Sequence, residues 1–194
     1  MEFDRIAVFC GSRTGTDREH VALCEELALE MTDRGIDLVY GGGNVGLMGI
    51  LADQVLMHGG KVYGVIPEKL MAVERGHTAS TELYVVKTMH ERKAKMAEMA
   101  DAFIAIPGGI GTMEEIFEVF TWAYLGYHEK PCGILNYKGF YDPLIELLDK
   151  MGNEGYLSQD CRDMLCVAES AESMIEMISK PVAAALDERL LPGT

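Results

Sequence analysis

Short apolar runs rich in β-branched residues alternate along the chain with longer amphipathic segments. The short runs predict strands over 6–10, 37–40, 61–66, 83–86, 102–106, 132–135 and 164–167. Apolar positions recur at helical spacing over 17–34, 112–125 and 141–151, with Asp17 as a predicted N-cap and Gly35 as a predicted stop. Strands that alternate with helices predict a parallel sheet with helices on both faces.

The strand runs are continuously apolar, which is typical of strands covered on both faces. We therefore expect an α/β, Rossmann-like, doubly wound sheet in a single domain over 1–180, followed by a C-terminal tail over 181–194. Residues 67–81 break the pattern and are predicted to form a mixed polar loop.

Length and charge restrict the function further. A chain of 194 residues with 48% hydrophobic side chains fits one domain, and its formal net charge is −14. Such a surface repels nucleic acid and anionic lipid, so neither is an expected partner, although backbone amides can still hold a small phosphorylated ligand. The acidic start resembles no secretory signal and no apolar stretch approaches about 20 residues, so we expect a cytoplasmic protein with its five cysteines reduced.

Glycine-rich segments directly follow three of the predicted strands, at 11–15, 41–49 and 107–112. In an open α/β sheet, ligands bind beyond the carboxyl ends of the strands. Glycine turns and helix N-termini gathered there can hold a phosphate on backbone amides. Tight turns alone would explain one such segment more easily than three.

Familiar nucleotide motifs do not account for these segments. Residues 41–46 match Gly-x-Gly-x-x-Gly, but they follow the second strand, and no acid is well placed after the next strand for a ribose diol. The Gly-Lys-Ser/Thr ending of a Walker loop is absent, which disfavours a nucleoside triphosphate site. The five histidines lack metal-ligand spacing.

Two predicted helix starts carry candidate chemistry. At 90–95, Arg92 and Lys93 are placed to reach a cleft, or else belong to a solvated helix face. At 112–115, Thr112 and Glu115 have the spacing of a capping box. The alternative is that Glu115 is a carboxylate in the cleft, able to stabilise a cationic sugar.

Residues 107–115, Pro-Gly-Gly-Ile-Gly-Thr-Met-Glu-Glu, resemble the Pro-Gly-Gly-x-Gly-Thr-x-x-Glu signature of the Lonely Guy family. These are cytokinin riboside 5′-monophosphate phosphoribohydrolases, long labelled possible lysine decarboxylases. Gly-Gly-Gly-Asn-Val-Gly-Leu-Met-Gly at 41–49, Met-His-Glu-Arg-Lys at 89–93 and Thr-Trp-Ala-Tyr-Leu-Gly at 121–126 follow in the family's order. The resemblance covers about residues 5–160.

The resemblance implies a Rossmann-like homodimer that hydrolyses adenosine-type nucleoside 5′-monophosphates, with Arg92 and Glu115 as the catalytic pair. The substrate-binding positions that it implies are Gly43, Glu74, Met89, Lys93, Gly108, Gly109, Ile110, Gly111, Thr112, Met113, Glu114 and Thr121. This chemistry requires no metal or organic cofactor. The predicted helix ends at 120–125 with apolar residues on nearly all of its sides, more than one contact with the sheet should bury. This pattern also favours a homodimer.

Two alternatives stay open at this point. A non-catalytic carrier of a nucleotide or phosphorylated cofactor would keep the glycine loops without needing the carboxylate. A pyridoxal-phosphate decarboxylase would need a lysine in a Schiff-base setting, and the sequence offers none that is evident.

Overall fold

The computed structural model describes residues 2–180, and the predicted tail over 181–194 lies outside this range. A single parallel sheet of seven strands forms the centre of the molecule. The strands are β1 (Arg5–Phe9), β2 (Asp37–Tyr40), β3 (Val62–Pro67), β4 (Glu82–Val86), β5 (Ala102–Ala105), β6 (Cys132–Leu135) and β7 (Leu165–Ala168). Each predicted strand is confirmed to within one residue at either end.

Seven helices cover the described part of the sheet. They are α1 (Glu19–Asp33), α2 (Gly46–Met57), α3 (Met89–Met99), α4 (Ile110–Tyr124), α5 (Asp142–Asn153), α6 (Gln159–Met164) and α7 (Ala171–Ile178). Helices α1, α2 and α7 pack on one face and α3 to α6 on the other. Along β1, Ile6 and Val8 face the first layer while Ala7 and Phe9 face the second. The predicted doubly wound α/β fold is confirmed.

The ends of α1 show how local chemistry sets a helix boundary. The Asp17 carboxylate accepts a hydrogen bond from the Glu19 amide at 2.9 Å, although the N-cap position itself is Arg18. After the last turn, Gly35 adopts a φ of 71° and the Ile36 amide donates to the Met31 carbonyl. A left-handed glycine at this position is a common helix stop, as the sequence predicts.

The strand order β4-β3-β2-β1-β5-β6-β7 reverses between β1 and β5. Such a reversal opens a crevice at the carboxyl ends of the strands, where α/β proteins bind ligands. Strands β2, β1 and β5 are neighbours, so the three glycine-rich segments meet at this edge. The Gly11 amide donates to the Pro107 carbonyl at 3.1 Å and joins two of them directly. Within residues 2–180, no helix is long and apolar enough to cross a membrane.

Candidate functional site

The second glycine-rich segment supports the first one instead of holding a ligand. The amides of Leu47 and Met48, which open α2, donate to the Gly11 carbonyl at 3.0 and 3.4 Å. Gly46 has a φ of 58°, and a Cβ there would lie 2.3 Å from the Arg13 backbone nitrogen. Glycine is needed because the two loops touch backbone to backbone. The N-terminus of α2 is therefore closed to an anion.

The third segment leaves a helix N-terminus open. Gly109 is the N-cap of α4, which begins at Ile110, and the cap has no side-chain hydrogen bond. The amides of the first turn, Ile110, Gly111 and Thr112, therefore have no acceptor within the helix. A Cβ built on Gly109 or Gly111 would meet nothing within 4 Å, so this surface is open. An anion can bind here to free amides and the helix dipole.

The predicted capping box is wrong. Thr112 is the third residue of α4 and is buried, so it cannot act as the N-cap, and Glu115 lies one turn into the helix. The N-cap is Gly109, three residues before the one that the capping pattern indicates, and Gly109 is extended, with a φ of −102° and a ψ of −157°. Glu115 is thus free of a structural task at the helix start.

A cleft of roughly 480 Å³ lies between the β1 and β5 loops, at the point where the strand order reverses. Its walls include residues 11–16, residues 107–109, Leu47 from α2 and Phe140. The Thr112 side chain packs against Gly108, since a Cβ on Gly108 would lie 2.1 Å from Thr112 Oγ1. Gly109, the N-cap of α4, is one of the wall residues, so the open helix N-terminus adjoins this cleft.

Arg92 and Glu115 form a buried pair beneath this edge of the sheet. Arg92 Nη1 lies 3.8 Å from Glu115 Oε1, and the two side chains are 7% and 11% exposed. Arg92 Nη2 donates to the Gly41 carbonyl at 3.1 Å. A Cβ on Gly41 would lie 1.9 Å from the same nitrogen, so only glycine lets the guanidinium reach the end of β2. The Arg92 Nε has no hydrogen-bond partner in the described structure.

Burial raises the pKa of Glu115 from 4.5 to about 7, although the Arg92 charge acts in the opposite direction. Desolvation penalises the charged carboxylate, and neighbouring Glu114 and Glu74 add to the penalty. A buried carboxyl whose pKa is raised toward neutral pH beside a charged partner is typical of catalytic acids and bases.

A second carboxylate reaches the same arginine from residues 67–81, which we call the strap. Glu74 Oε2 lies 3.9 Å from Arg92 Nη2 and has no hydrogen-bond partner in the described structure. Burial also raises the pKa of Glu74, against the lowering effect of Arg92. Apart from the turn Glu68–Leu70, the strap is irregular up to β4, as predicted.

The strap is fastened to the second glycine-rich segment. The Asn44 amide donates to the Glu74 carbonyl at 2.8 Å, and the His77 amide donates to the Gly42 carbonyl at 2.9 Å. The His77 ring is 1% exposed, and its Nε2 lies 3.0 Å from the Asp53 carboxylate on α2. These contacts hold Glu74 over the Arg92 guanidinium.

The charge of Lys93 is already balanced. Its ammonium donates to the carboxylates of Glu114 and Glu118 on α4, the first at very short range and the second at 3.0 Å. Lys93 therefore ties α3 to α4 next to Arg92 and Glu115, instead of presenting a free cation to a ligand.

The remaining predicted positions divide into two groups. Gly43 lies against Glu74, with a Cβ there 3.0 Å from Glu74 Cβ, and the Met89 sulfur lies 3.9 Å from Arg92 Nη1. Ile110, the first residue of α4, is 86% exposed, and Met113 packs on the core. Thr121 is apart from this cluster: it lies near the carboxyl end of α4 and its hydroxyl donates to the Phe117 carbonyl.

Two residues near the site were not predicted as site residues from the sequence. Arg13 lines the cleft between the β1 and β5 loops. The signal available was its position inside the first glycine-rich segment, for which the sequence analysis considered only backbone amides as phosphate ligands. His77 carries no local signal, because its role depends on Asp53, which lies on a different element.

Comparisons with known proteins agree with this geometry. Residues 48–178 match the family model described as "Possible lysine decarboxylase". A probable cytokinin riboside 5′-monophosphate phosphoribohydrolase, LOGL1 of Oryza sativa subsp. japonica, is 48% identical over 92% of this chain and 80% of its own length. The Arabidopsis thaliana phosphoribohydrolase LOG1 is 46% identical over 91% of this chain and 83% of its own.

Solved structures share the fold at lower identity. The molybdenum cofactor binding protein of Rippkaea orientalis superimposes with a TM-score of 0.68 at 22% identity, over 92% of this chain and 96% of that one. The molybdenum cofactor carrier protein of Chlamydomonas reinhardtii gives 0.68 at 17% identity, over 90% and 94%. At such identity the likeness concerns the fold alone. The family match and the relatives at nearly half identity show that this chain belongs to the Lonely Guy family, whose model carries the lysine decarboxylase label.

Proposed function

We propose that this protein is a phosphoribohydrolase that cleaves the N-glycosidic bond of adenosine-type nucleoside 5′-monophosphates, either AMP or N6-substituted cytokinin nucleotides. The observation that carries the proposal is the buried Arg92–Glu115 pair next to the open N-terminus of α4. The relatives' names describe the same reaction. An amide-lined anion site and a carboxylate suited to a cationic sugar are the two parts that this hydrolysis needs.

In the proposed reaction, the amides of Ile110, Gly111 and Thr112 bind the 5′-phosphate. The bond between C1′ and the base nitrogen breaks and its electron pair leaves with the base, so that positive charge develops on the sugar. Ionised Glu115 stabilises that charge and accepts a proton from the attacking water, whose oxygen forms the new bond to C1′. Arg92 holds Glu115 in place and favours its ionised form. The departing base anion takes up one proton from solvent and Glu115 returns its proton to solvent, so the products are free base and ribose 5-phosphate.

Incubation of the purified protein with AMP, followed by chromatography for free adenine, tests the proposal. We expect stoichiometric adenine and ribose 5-phosphate. A carrier of a nucleotide or phosphorylated cofactor would bind AMP and release neither product. A decarboxylase would release carbon dioxide from lysine and leave AMP intact. Either outcome would contradict the proposal.

We propose further that the protein acts as a cytoplasmic homodimer, without nucleic-acid or membrane partners. Leu125 and Tyr127, just after α4, are 52% and 78% exposed, which leaves apolar surface next to Thr121. A second copy could cover this surface and bring Thr121 into its site. Light scattering at micromolar concentration should give twice the chain mass of 21.4 kDa. A monomer mass would contradict the dimer.

A further inference from the structure

Binding a phosphate dianion to this chain poses a problem of charge. The formal net charge is −14, and the carboxylates of Glu74, Glu114 and Glu115 lie near the open end of α4. Free amides orient a phosphate, but a helix terminus supplies only about half a unit of positive charge. A phosphate-specific site in this protein therefore needs a full cation close by.

The two cations of α3 are already engaged. Arg92 lies between Glu74 and Glu115 and donates to the Gly41 carbonyl. Lys93 is paired with two carboxylates on α4. Arg92 cannot turn to a phosphate without leaving the buried Glu115 carboxylate unpaired, which costs several kcal/mol. Lys93 would have to give up its ion pairs with Glu114 and Glu118.

Arg13 is different. It lines the same cleft as Gly108 and Gly109, and in the described range 2–180 its guanidinium has no hydrogen-bond or ion-pair partner. The backbone around it is held at residues 11–13, by the Gly11 amide on the Pro107 carbonyl and by the close approach of Gly46 to Ser12 and Arg13. An arginine on a fixed backbone can bind without rearrangement of the loop, and its planar fork matches two phosphate oxygens.

From this placement we propose that Arg13 binds the 5′-phosphate of the substrate across the cleft from the α4 amides. This inference rests on the proposed function and adds to it the residue that makes the enzyme select nucleotides over nucleosides. The β1 loop supplies the charge, and the β5 loop with α4 supplies the oriented amides. In this assignment Arg13 contributes to phosphate binding, and the chemical step belongs to Arg92 and Glu115.

Kinetics of Arg13→Gln test the proposal, with Arg18→Gln as the matched control. Arg18 is an exposed arginine at the N-cap of α1 that does not line the cleft. Its replacement removes the same unit of positive charge from the protein without changing the cleft. For Arg13→Gln we expect the KM for AMP to rise about 10- to 100-fold with little change in kcat, since uniform binding is lost. Inhibition by inorganic phosphate should weaken in parallel, while kcat/KM for adenosine should stay the same. Arg13→Lys should recover part of the loss.

An unchanged KM for AMP in Arg13→Gln would overturn the proposal, and so would an equal loss in Arg18→Gln or an equal loss with adenosine. If the wild-type protein releases no adenine, the proposed function fails, and calorimetric titration with AMP then tests Arg13 separately. Weaker AMP binding in Arg13→Gln, with normal binding in Arg18→Gln, would support the assignment. Equal binding by all variants, or no binding by wild type, would refute it.

Discussion

Replacing Glu115 by glutamine should make the protein more stable at alkaline pH while it destroys activity. Burial raises the pKa of Glu115 in the folded protein from 4.5 to about 7. In the unfolded chain the carboxyl ionises first, so the folded state loses stability as pH rises from about 4.5 to 7 and stays at the lower level above that. A neutral glutamine is not subject to this loss.

The size of the effect follows from the same shift. At about 1.4 kcal/mol per pH unit, ionisation of Glu115 costs the folded state roughly 3 kcal/mol in full, of which roughly 2–3 kcal/mol falls between pH 5 and pH 8. Between pH 5 and pH 8, the unfolding free energy of Glu115→Gln should therefore rise relative to that of wild type by the same roughly 2–3 kcal/mol. The attraction between Arg92 and the ionised carboxylate is already included in the shift to about 7, and a neutral glutamine contacts Arg92 equally at both pH values.

Urea unfolding at pH 5 and pH 8 measures this difference, and Trp122 on α4 is the single tryptophan available as a fluorescent probe. Glu146→Gln is the control, because Glu146 is exposed on α5 and should change stability equally at both pH values. A difference between Glu115→Gln and wild type that is the same at pH 5 and pH 8 would refute the reasoning about burial.

The same variant should retain AMP binding but lose turnover by about 100-fold or more, since the charge that stabilises the sugar and accepts the proton is gone. A variant that is more stable and yet inactive separates chemistry from folding. Near-wild-type kcat would show that Glu115 takes no part in the reaction.

Three further outcomes are expected. The kcat/KM for AMP should rise as pH increases through about 7, because ionised Glu115 is the active form; a flat profile, or the same profile in Glu115→Gln, would contradict this. Asp53→Ala should lower the unfolding free energy by about 1 kcal/mol and reduce kcat/KM, because His77 loses the partner that fastens the strap; unchanged values would show that the strap needs no such contact. Adenosine should be hydrolysed with a kcat/KM at least about 100-fold below that of AMP; comparable values would rule out recognition of the phosphate.

The sequence by itself determined the sheet and the chemistry-bearing segments. Strand positions follow from runs of apolar residues only four to six residues long, and each predicted strand is confirmed. The stop at Gly35 follows from neighbours within one helical turn. Arg92 and Glu115 were found because they lie in motifs that resemble those of a known family. Such features depend on the spacing of residues that are close together in the sequence, so they can be identified before the chain folds.

Only the tertiary structure decided how the charges and amides are shared. The capping pattern at 112–115 was wrong because Gly109, extended, starts α4 earlier. Amides of the second glycine-rich segment donate hydrogen bonds to Gly11 and to the strap. Lys93 forms ion pairs with Glu114 and Glu118. Each of these outcomes is a choice among several possible partners far apart in sequence. Packing selects the partner because a buried polar group is stable only next to a complementary one, and the fold alone brings those groups together.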